Sequence, residues 1–191
     1  MQAIILAAGI GKRLGELTQN NTKCMVKVCG ITLIERMLQQ LSELRVSQVV
    51  IVTGYKGKEL REFLGNSFKD TPICYVDNPI YDKTNNIYSL YLASKHLIVE
   101  DTLLLESDLL FEPKVLQRLT ANNYPNLTVV AHYESWMDGT VALLDDQDYI
   151  VNLLPKQSFS FSDVADYYKT VNIYKFSKEF STSHFVPFLE A

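Results

Sequence analysis

The chain has 191 residues, 47% of them hydrophobic, and a formal net charge of −4, which is a full core for one domain and a mildly acidic surface with no basic block. That balance argues against nucleic acid as the main partner. No apolar run approaches the roughly 20 residues that cross a bilayer, and the N-terminus lacks the basic-then-apolar pattern of a signal peptide, so no membrane partner and a cytoplasmic location are expected.

The first element is a buried strand over residues 3–6, an unbroken apolar run. It ends in Ala7, Ala8, Gly9 and Gly11, a small-residue turn of the kind whose backbone N–H groups bind phosphate oxygens. Arg13 and Lys23 bring two cations toward the same turn. A polyanion held on amides between Arg and Lys is the chemistry of a nucleoside triphosphate site. A Walker loop is absent, and the third glycine of a dinucleotide fingerprint would fall at Leu14. The three cysteines (Cys24, Cys29 and Cys74) lack metal-ligand pairing and read as reduced thiols. Cys24 adjoins Lys23 and is either a somewhat reactive thiol or a small buried apolar residue.

Leu33, Ile34, Met37, Leu38, Leu41 and Leu44 share one helical face. A strand over 49–52 ends at Gly54, a charged helix follows over 56–64, and a further strand covers 73–76. Residues 86–97 read as a helix, and 102–105 as a buried strand running into Glu106-Ser107-Asp108. Pro113 opens the next helix, and 127–131 is another strand. Alternation of this kind predicts an α/β domain: a three-layer α/β/α, Rossmann-like, mostly parallel sheet. Ligands of such sheets bind beyond the carboxyl ends of the strands, where the Ala7 turn, the Gly54 turn and Asp108 converge. Residues 140–144 and 149–154 then form a hairpin around the acidic turn Asp145-Asp146-Gln147-Asp148, followed by a strand over 168–176. This small β-hairpin is expected to act as a lid on the acceptor side. Residues 177–191 begin a helix with no clear stop signal.

The run Leu6-Ala7-Ala8-Gly9-Ile10-Gly11-Lys12-Arg13-Leu14 with Thr22-Lys23 resembles the signature of the sugar-1-phosphate nucleotidyltransferase superfamily. Further segments shared in pattern are 52–55, 84–89, 106–108, 136–140 and 168–173. The chain is most similar to the branch with small acceptors, the bacterial phosphocholine cytidylyltransferases and the 2-aminoethylphosphonate cytidylyltransferases of phosphonate pathways. One departure is that Thr22 stands where the family has proline before the lysine. The resemblance implies a CTP-dependent nucleotidyltransferase using Mg2+. A phosphate or phosphonate oxygen of the acceptor attacks the α-phosphorus of CTP, and pyrophosphate leaves. It also implies that 1–191 is a single nucleotidyltransferase domain, belonging to a chain that continues or is fused to another. The oligomeric state stays open, a dimer included. The alternatives are a sugar-1-phosphate nucleotidyltransferase and a non-catalytic nucleotide-binding domain of a fusion protein.

The attacking oxygen is already an anion, so the chemistry asks for positioning and charge neutralisation rather than a general base. Arg13 and Lys23 are the catalytic candidates. Leu6, Ala7, Ala8, Gly9 and Gly11 line the triphosphate turn. Thr53, Gly54 and Tyr55 are expected beside the base and ribose, where a glycine lets backbone approach the pyrimidine. Asn78, Asn85, Asn86 and Ser89 offer uncharged hydrogen bonds there; Asn85 and Asn86 equally suit a helix start. Asp108 is the candidate for the metal, or a helix N-cap before Phe111-Glu112-Pro113. The family's second metal carboxylate lies late in the chain, where Asn172 stands here. For the acceptor the candidates are Trp136, Asp138, Lys156 and Tyr174, with aromatic faces for a choline-like cation or a carboxylate for a primary amine. Lys156 also reads as a solvated surface residue, and the aromatics as core.

Overall fold

A computed structural model of the protein describes residues 1–18 and 21–191, apart from the side chains of Lys12, Arg13, Leu14, Phe161 and Ser162. The chain forms two compact units. The first comprises Met1–Leu127 with Tyr174–Ala191, the second Thr128–Ile173.

The first unit begins with β1 (Gln2–Ala7), which is buried from end to end. A 3-10 stretch (Lys12–Thr18) and a short turn of helix (Lys23–Met25) follow, then a minimal hairpin of β2 (Lys27–Val28) and β3 (Ile31–Thr32). Helix α1 (Leu33–Glu43) opens with a capping box. The Thr32 hydroxyl accepts from the Glu35 backbone N–H at 3.1 Å, and the Glu35 carboxylate accepts from the Thr32 backbone N–H at 3.1 Å. Next come β4 (Val49–Thr53), α2 (Gly57–Leu64), β5 (Ser67–Phe68) and β6 (Thr71–Asp77).

The helix expected over 86–97 is two pieces, α3 (Asn86–Leu92) and α4 (Ser94–Leu97), separated at Ala93 with φ −93° and ψ 4°. The break lets the chain bend while Leu90, Ala93 and Leu97 stay in one apolar cluster. Strand β7 (Thr102–Glu106) runs one residue further than its apolar stretch, so Glu106 belongs to the sheet. After α5 (Pro113–Ala121), β8 (Leu127–His132) leads into the second unit, which holds β9 (Val141–Leu144) and β10 (Ile150–Leu154). Strand β11 (Tyr167–Phe176) starts in that unit and ends in the first. The last residues are helical: α6 (Lys178–Phe180), one π-helical turn (Ser181–Phe185) and α7 (Val186–Glu190).

In the first unit the strand order is β7-β1-β4-β6-β5. β1 pairs in parallel with both β4 and β7, and β4 with β6; only β5 is antiparallel. Alternation decides the packing. Ile4, Leu6, Val50, Val52 and Leu104 point to the face where Leu90, Ala93, Leu97 and Val186 lie. Ala3, Ile5, Ile51, Leu103 and Leu105 point the other way and are fully buried, as are Ile34 and Leu41 of α1 and Leu60 of α2. This mixed, mostly parallel sheet with flanking helices is the architecture read from the sequence. The chain builds outward from β1 through β4 to β6 on one side and then adds β7 on the other, so the strand order reverses at β1, and the crevice opens beyond its carboxyl end.

In the second unit β9 and β10 form the expected hairpin, with a register shift between Ile150 and Asn152. Its acidic turn is closed by Asp145, whose carboxylate accepts from the backbone N–H groups of Gln147 and Tyr149, both at 2.9 Å. Among the described residues, no helix is long and apolar enough to cross a membrane.

Candidate active site at the carboxyl edge of the parallel sheet

The turn after β1 is shaped by what lies against it. Gly11 has φ +74°, and a Cβ there would stand 2.9 Å from Lys23 Cβ. Only glycine satisfies both demands. The Lys23 stem therefore runs beside the glycines, and its Nζ reaches 3.1 Å from Asp108 Oδ2 and 3.8 Å from Glu106 Oε2. The lysine side chain is only 13% exposed, so this cation is largely withdrawn from water. Thr18 closes the loop from below, its hydroxyl donating to the carbonyls of Gly11 and Gly15. Arg13, read as the second cation, has its side chain outside the described residues.

Thr22 fills the place of the family's proline without losing its geometry. Its φ of −69° is the value a proline ring fixes. It is fully buried, and its hydroxyl lies 2.9 Å from Cys24 Sγ. Cys24 is a buried packing residue: burial pushes its thiol up to about 11, with the Thr22 hydroxyl opposing. The reactive-thiol alternative is thereby set aside, since a thiol needs its anion to attack. All three cysteines are free.

Gly54 serves the packing of the turn. A Cβ at this position would stand 2.7 Å from the Ala8 carbonyl oxygen and 2.7 Å from Tyr81 Cβ. Beside it, the Tyr55 N–H donates to that same Ala8 carbonyl at 3.0 Å. The β4 loop thus clasps the β1 turn. Thr53 is fully buried, and its hydroxyl donates to Asp77 Oδ1 at 2.7 Å. Arg61 pairs with the same carboxylate, a charge pair that no spacing in the sequence announces.

Asn78 and Ser89 are brought together, but facing each other. Asn78 Nδ2 donates to Ser89 Oγ and to Thr84 Oγ1, both at 3.0 Å, and both residues are buried. They brace the 78–89 loop. Asn85 is the N-cap of α3, its Oδ1 accepting from Ile87 N at 3.1 Å and Tyr88 N at 3.4 Å. Of the four, Asn86 is the one turned to the sheet edge: its Nδ2 donates to Glu106 Oε1 at 2.7 Å. Glu106 was missed in the sequence reading. The signal was its place at the end of a strand, two residues before Asp108. Asp108 sits past the strand, and the N-cap of α5 is Glu112, not Asp108.

In the second unit Asp138 and Lys156 pair with each other at 2.8 Å, and the carboxylate raises the lysine's pKa through the hydrogen bond first and its charge second. Trp136 is 74% exposed, its indole N–H donating to Glu134 at 3.2 Å. Lys169, which sequence reasoning passed over, donates to the Thr140 carbonyl at 2.9 Å beside Gly139. Tyr174 belongs to the first unit, where it stacks on Phe176 at 5.7 Å and packs on the sheet's apolar cluster. Alternation along β11 sends both rings to that side.

The glycine turn, the withdrawn lysine and the two carboxylates stand at one strand edge, and the pattern of the MobA-like NTP transferase domain matches residues 3–154. The chain belongs to that family. This MobA-like domain is 33% identical over 192 residues to the CMP-5'-(3-aminopropyl)phosphonate synthase of Streptomyces rubellomurinus, covering 100% of this chain and 30% of that protein. It is 27% identical over 196 residues to the CTP:phosphoglutamine cytidylyltransferase of Campylobacter jejuni, covering 94% of this chain and 74% of the other. The CTP:phosphocholine cytidylyltransferase of Streptococcus pneumoniae shares the fold, with a TM-score of 0.76 at 23% identity over 99% of this chain and 75% of that one. The chain spans about a third of the length of the first curated relatives it matches. Membership places the MobA-like domain among the nucleotidyltransferases, with relatives of the cytidylyltransferase type.

Proposed function

We propose that this domain transfers CMP from CTP to a small phosphorylated or phosphono amine, releasing pyrophosphate. The observation that carries the reading is Lys23, drawn along the glycine turn to the carboxylates at the end of β7. Relatives named for CTP or CMP chemistry on small acceptors support the choice of nucleotide.

In this reading the triphosphate lies on the turn after β1. Lys23 moves its Nζ by rotation about its outer bonds from the carboxylates to phosphate oxygens, while its stem stays against Gly11. There it neutralises charge that builds on the α-phosphate and the leaving pyrophosphate. Arg13 takes the same role from the other side. The acceptor oxygen is already anionic, so no residue needs to take its proton. The donor set fits Mg2+: two carboxylates share one cation, and hard oxygen ligands suit that ion. Asp108 and Glu106 would hold it, and it would supply further charge neutralisation at the phosphates. Asp138 and Lys156 are the acceptor candidates. An acceptor that is both ammonium and phosphonate can exchange their mutual ion pair for two of its own.

The test is pyrophosphate release from each of the four triphosphates with phosphocholine, 2-aminoethylphosphonate and glucose-1-phosphate as acceptors. Turnover is expected with CTP and one of the first two. Efficient use of glucose-1-phosphate, or no release with any pair, overturns the proposal.

A further inference from the structure

We infer that Glu106 decides which pyrimidine the site accepts, by fixing which way the Asn86 amide points. The inference rests on the cytidine reading above and deepens it.

An amide side chain is ambiguous by itself. Its oxygen accepts, its nitrogen donates, and half a turn about χ2 exchanges them. Glu106 removes the ambiguity here. An ionised carboxylate only accepts, so the amide group facing it must be the NH2. The bond is 2.7 Å, in the short range of hydrogen bonds to a charged acceptor. Asn86 Oδ1 is therefore turned away from Glu106, and it has no hydrogen-bond partner within the described residues. The backbone beneath it is held as well, since Asn86 is the first residue of α3, directly after the Asn85 cap. The other oxygen of Glu106 lies 3.8 Å from Lys23 Nζ, and Lys23 is held in turn by Asp108 at 3.1 Å. The carboxylate is thus engaged on both sides before the nucleotide binds; once Lys23 moves to the phosphates the 2.7 Å bond to Asn86 remains, and the amide cannot turn without losing that charge-assisted bond.

The place of this amide matters. Glu106 is the end of β7 and pairs in register with Leu6, the residue before the phosphate turn. Asn86 is solvent-exposed, so its carbonyl oxygen stands as a free acceptor at the edge where a nucleotide would lie. Cytosine carries an exocyclic amine, a donor, where uracil carries a carbonyl, an acceptor. A fixed acceptor meets the amine of cytosine favourably and the carbonyl of uracil unfavourably. An asparagine free to turn would satisfy both bases. Discrimination therefore comes from Glu106, although Asn86 makes the contact. One such hydrogen bond, with its penalty in the mismatched case, corresponds to about tenfold in affinity or somewhat more.

The experiment is calorimetric titration of CTP and UTP into the wild type, Glu106→Gln and Asn86→Leu under identical metal conditions, with a melting curve for each protein. The wild type is expected to prefer CTP by about tenfold or more. In Glu106→Gln the new amide can donate or accept, so Asn86 is released. Both nucleotides should bind more weakly, since a carboxylate that would hold the metal is gone, but the preference should collapse toward parity, with CTP losing about tenfold more than UTP. Asn86→Leu should lose the preference as well, because the acceptor is gone. A merely structural role for Glu106 would weaken both nucleotides in proportion and leave their ratio at the wild-type value. That result, in a wild type that does prefer CTP, overturns the inference and leaves the cytidine reading standing. A wild type that binds the two equally overturns the cytidine reading itself.

Discussion

At the scale of single residues, Lys23 and Cys24 are neighbours with opposite fates. The Lys23 ammonium faces two carboxylates at 3.1 and 3.8 Å. Lys23→Met keeps the stem that packs on Gly11 and removes only the charge. Turnover should fall by about 100- to 1000-fold, the scale for one preorganised contact to transition-state charge. The melting temperature should move little, because the carboxylates left without Lys23 are 24% and 32% exposed and can be hydrated instead, which keeps the loss to about 1 kcal/mol. A pyrophosphate assay beside a melting curve checks this, and near-normal turnover would remove Lys23 from the mechanism. Asp108→Asn should weaken CTP binding in the presence of Mg2+ far more than in its absence, as titration in both conditions reads directly. Cys24, by contrast, is sealed, and its thiol is pushed up to about 11 from 9.0. Between those values the unfolded chain releases the thiol proton and the folded chain keeps it. The contribution to stability is whole below pH 9 and is lost as pH rises, at about 1.4 kcal/mol per pH unit. Denaturant unfolding at pH 8, 9 and 10 should show this slope, and Cys24→Ala should flatten it. The rest of the titration is common to both proteins and cancels in the difference.

At the scale of elements, helix α1 depends on its entry. The capping box satisfies two backbone donors, and Thr32 is buried while making it. Thr32→Ala should cost about 1 kcal/mol in denaturant unfolding. Because Leu33 N donates to the Val26 carbonyl at 3.0 Å, the same change should loosen the loop that carries Lys23. The clasp between the β4 loop and the β1 turn is more demanding. A methyl group on Gly54 meets a backbone oxygen and Tyr81 Cβ at 2.7 Å each, and neither lies at the end of a flexible chain. Gly54→Ala should therefore destabilise by about 1–3 kcal/mol and weaken triphosphate binding beyond what the stability loss explains. Unchanged binding in a destabilised variant would show that the turn moves independently of the clasp. Periodicity made the long elements legible, because β1, β4 and β7 are uninterrupted apolar runs and α1 has one apolar face. It did not reveal the break at Ala93, where packing on the apolar cluster overrides the continuous helical pattern.

At the scale of the whole molecule, the last residues complete a core begun at the first. Val186 is buried against Ile4, Leu6, Leu90 and Leu97, with Phe185 and Leu189 packed on the same cluster. Lys178 N donates to Asp101, and Ser177 N to Asn126, both at 2.9 Å, so the segment is pinned before it turns helical. Deleting residues 178–191 removes Phe185, Val186 and Leu189 from this cluster and uncovers part of one face of the parallel sheet. Cooperative thermal unfolding should be lost and apolar-dye binding should rise; a sharp transition near the wild-type temperature would show that the sheet closes without them.

The sequence by itself determined the sheet, its direction and the edge where the glycine turn and Asp108 meet. Those follow from period and from small residues at a strand end, and both are local properties of the chain. It also determined which residue types stand near the turn. Only the tertiary structure decided what each does. Asn78, Ser89 and Asn85 offer uncharged hydrogen bonds as Asn86 does, yet those three spend them within the loop and its cap. Glu106 and Lys23 are 83 positions apart, and nothing in their spacing marks them as partners. Buried amides and charges take whatever partner the packing brings within about 3 Å, because leaving one unpaired costs more than any local preference can offset. That choice is made between distant segments, and so it is made in three dimensions.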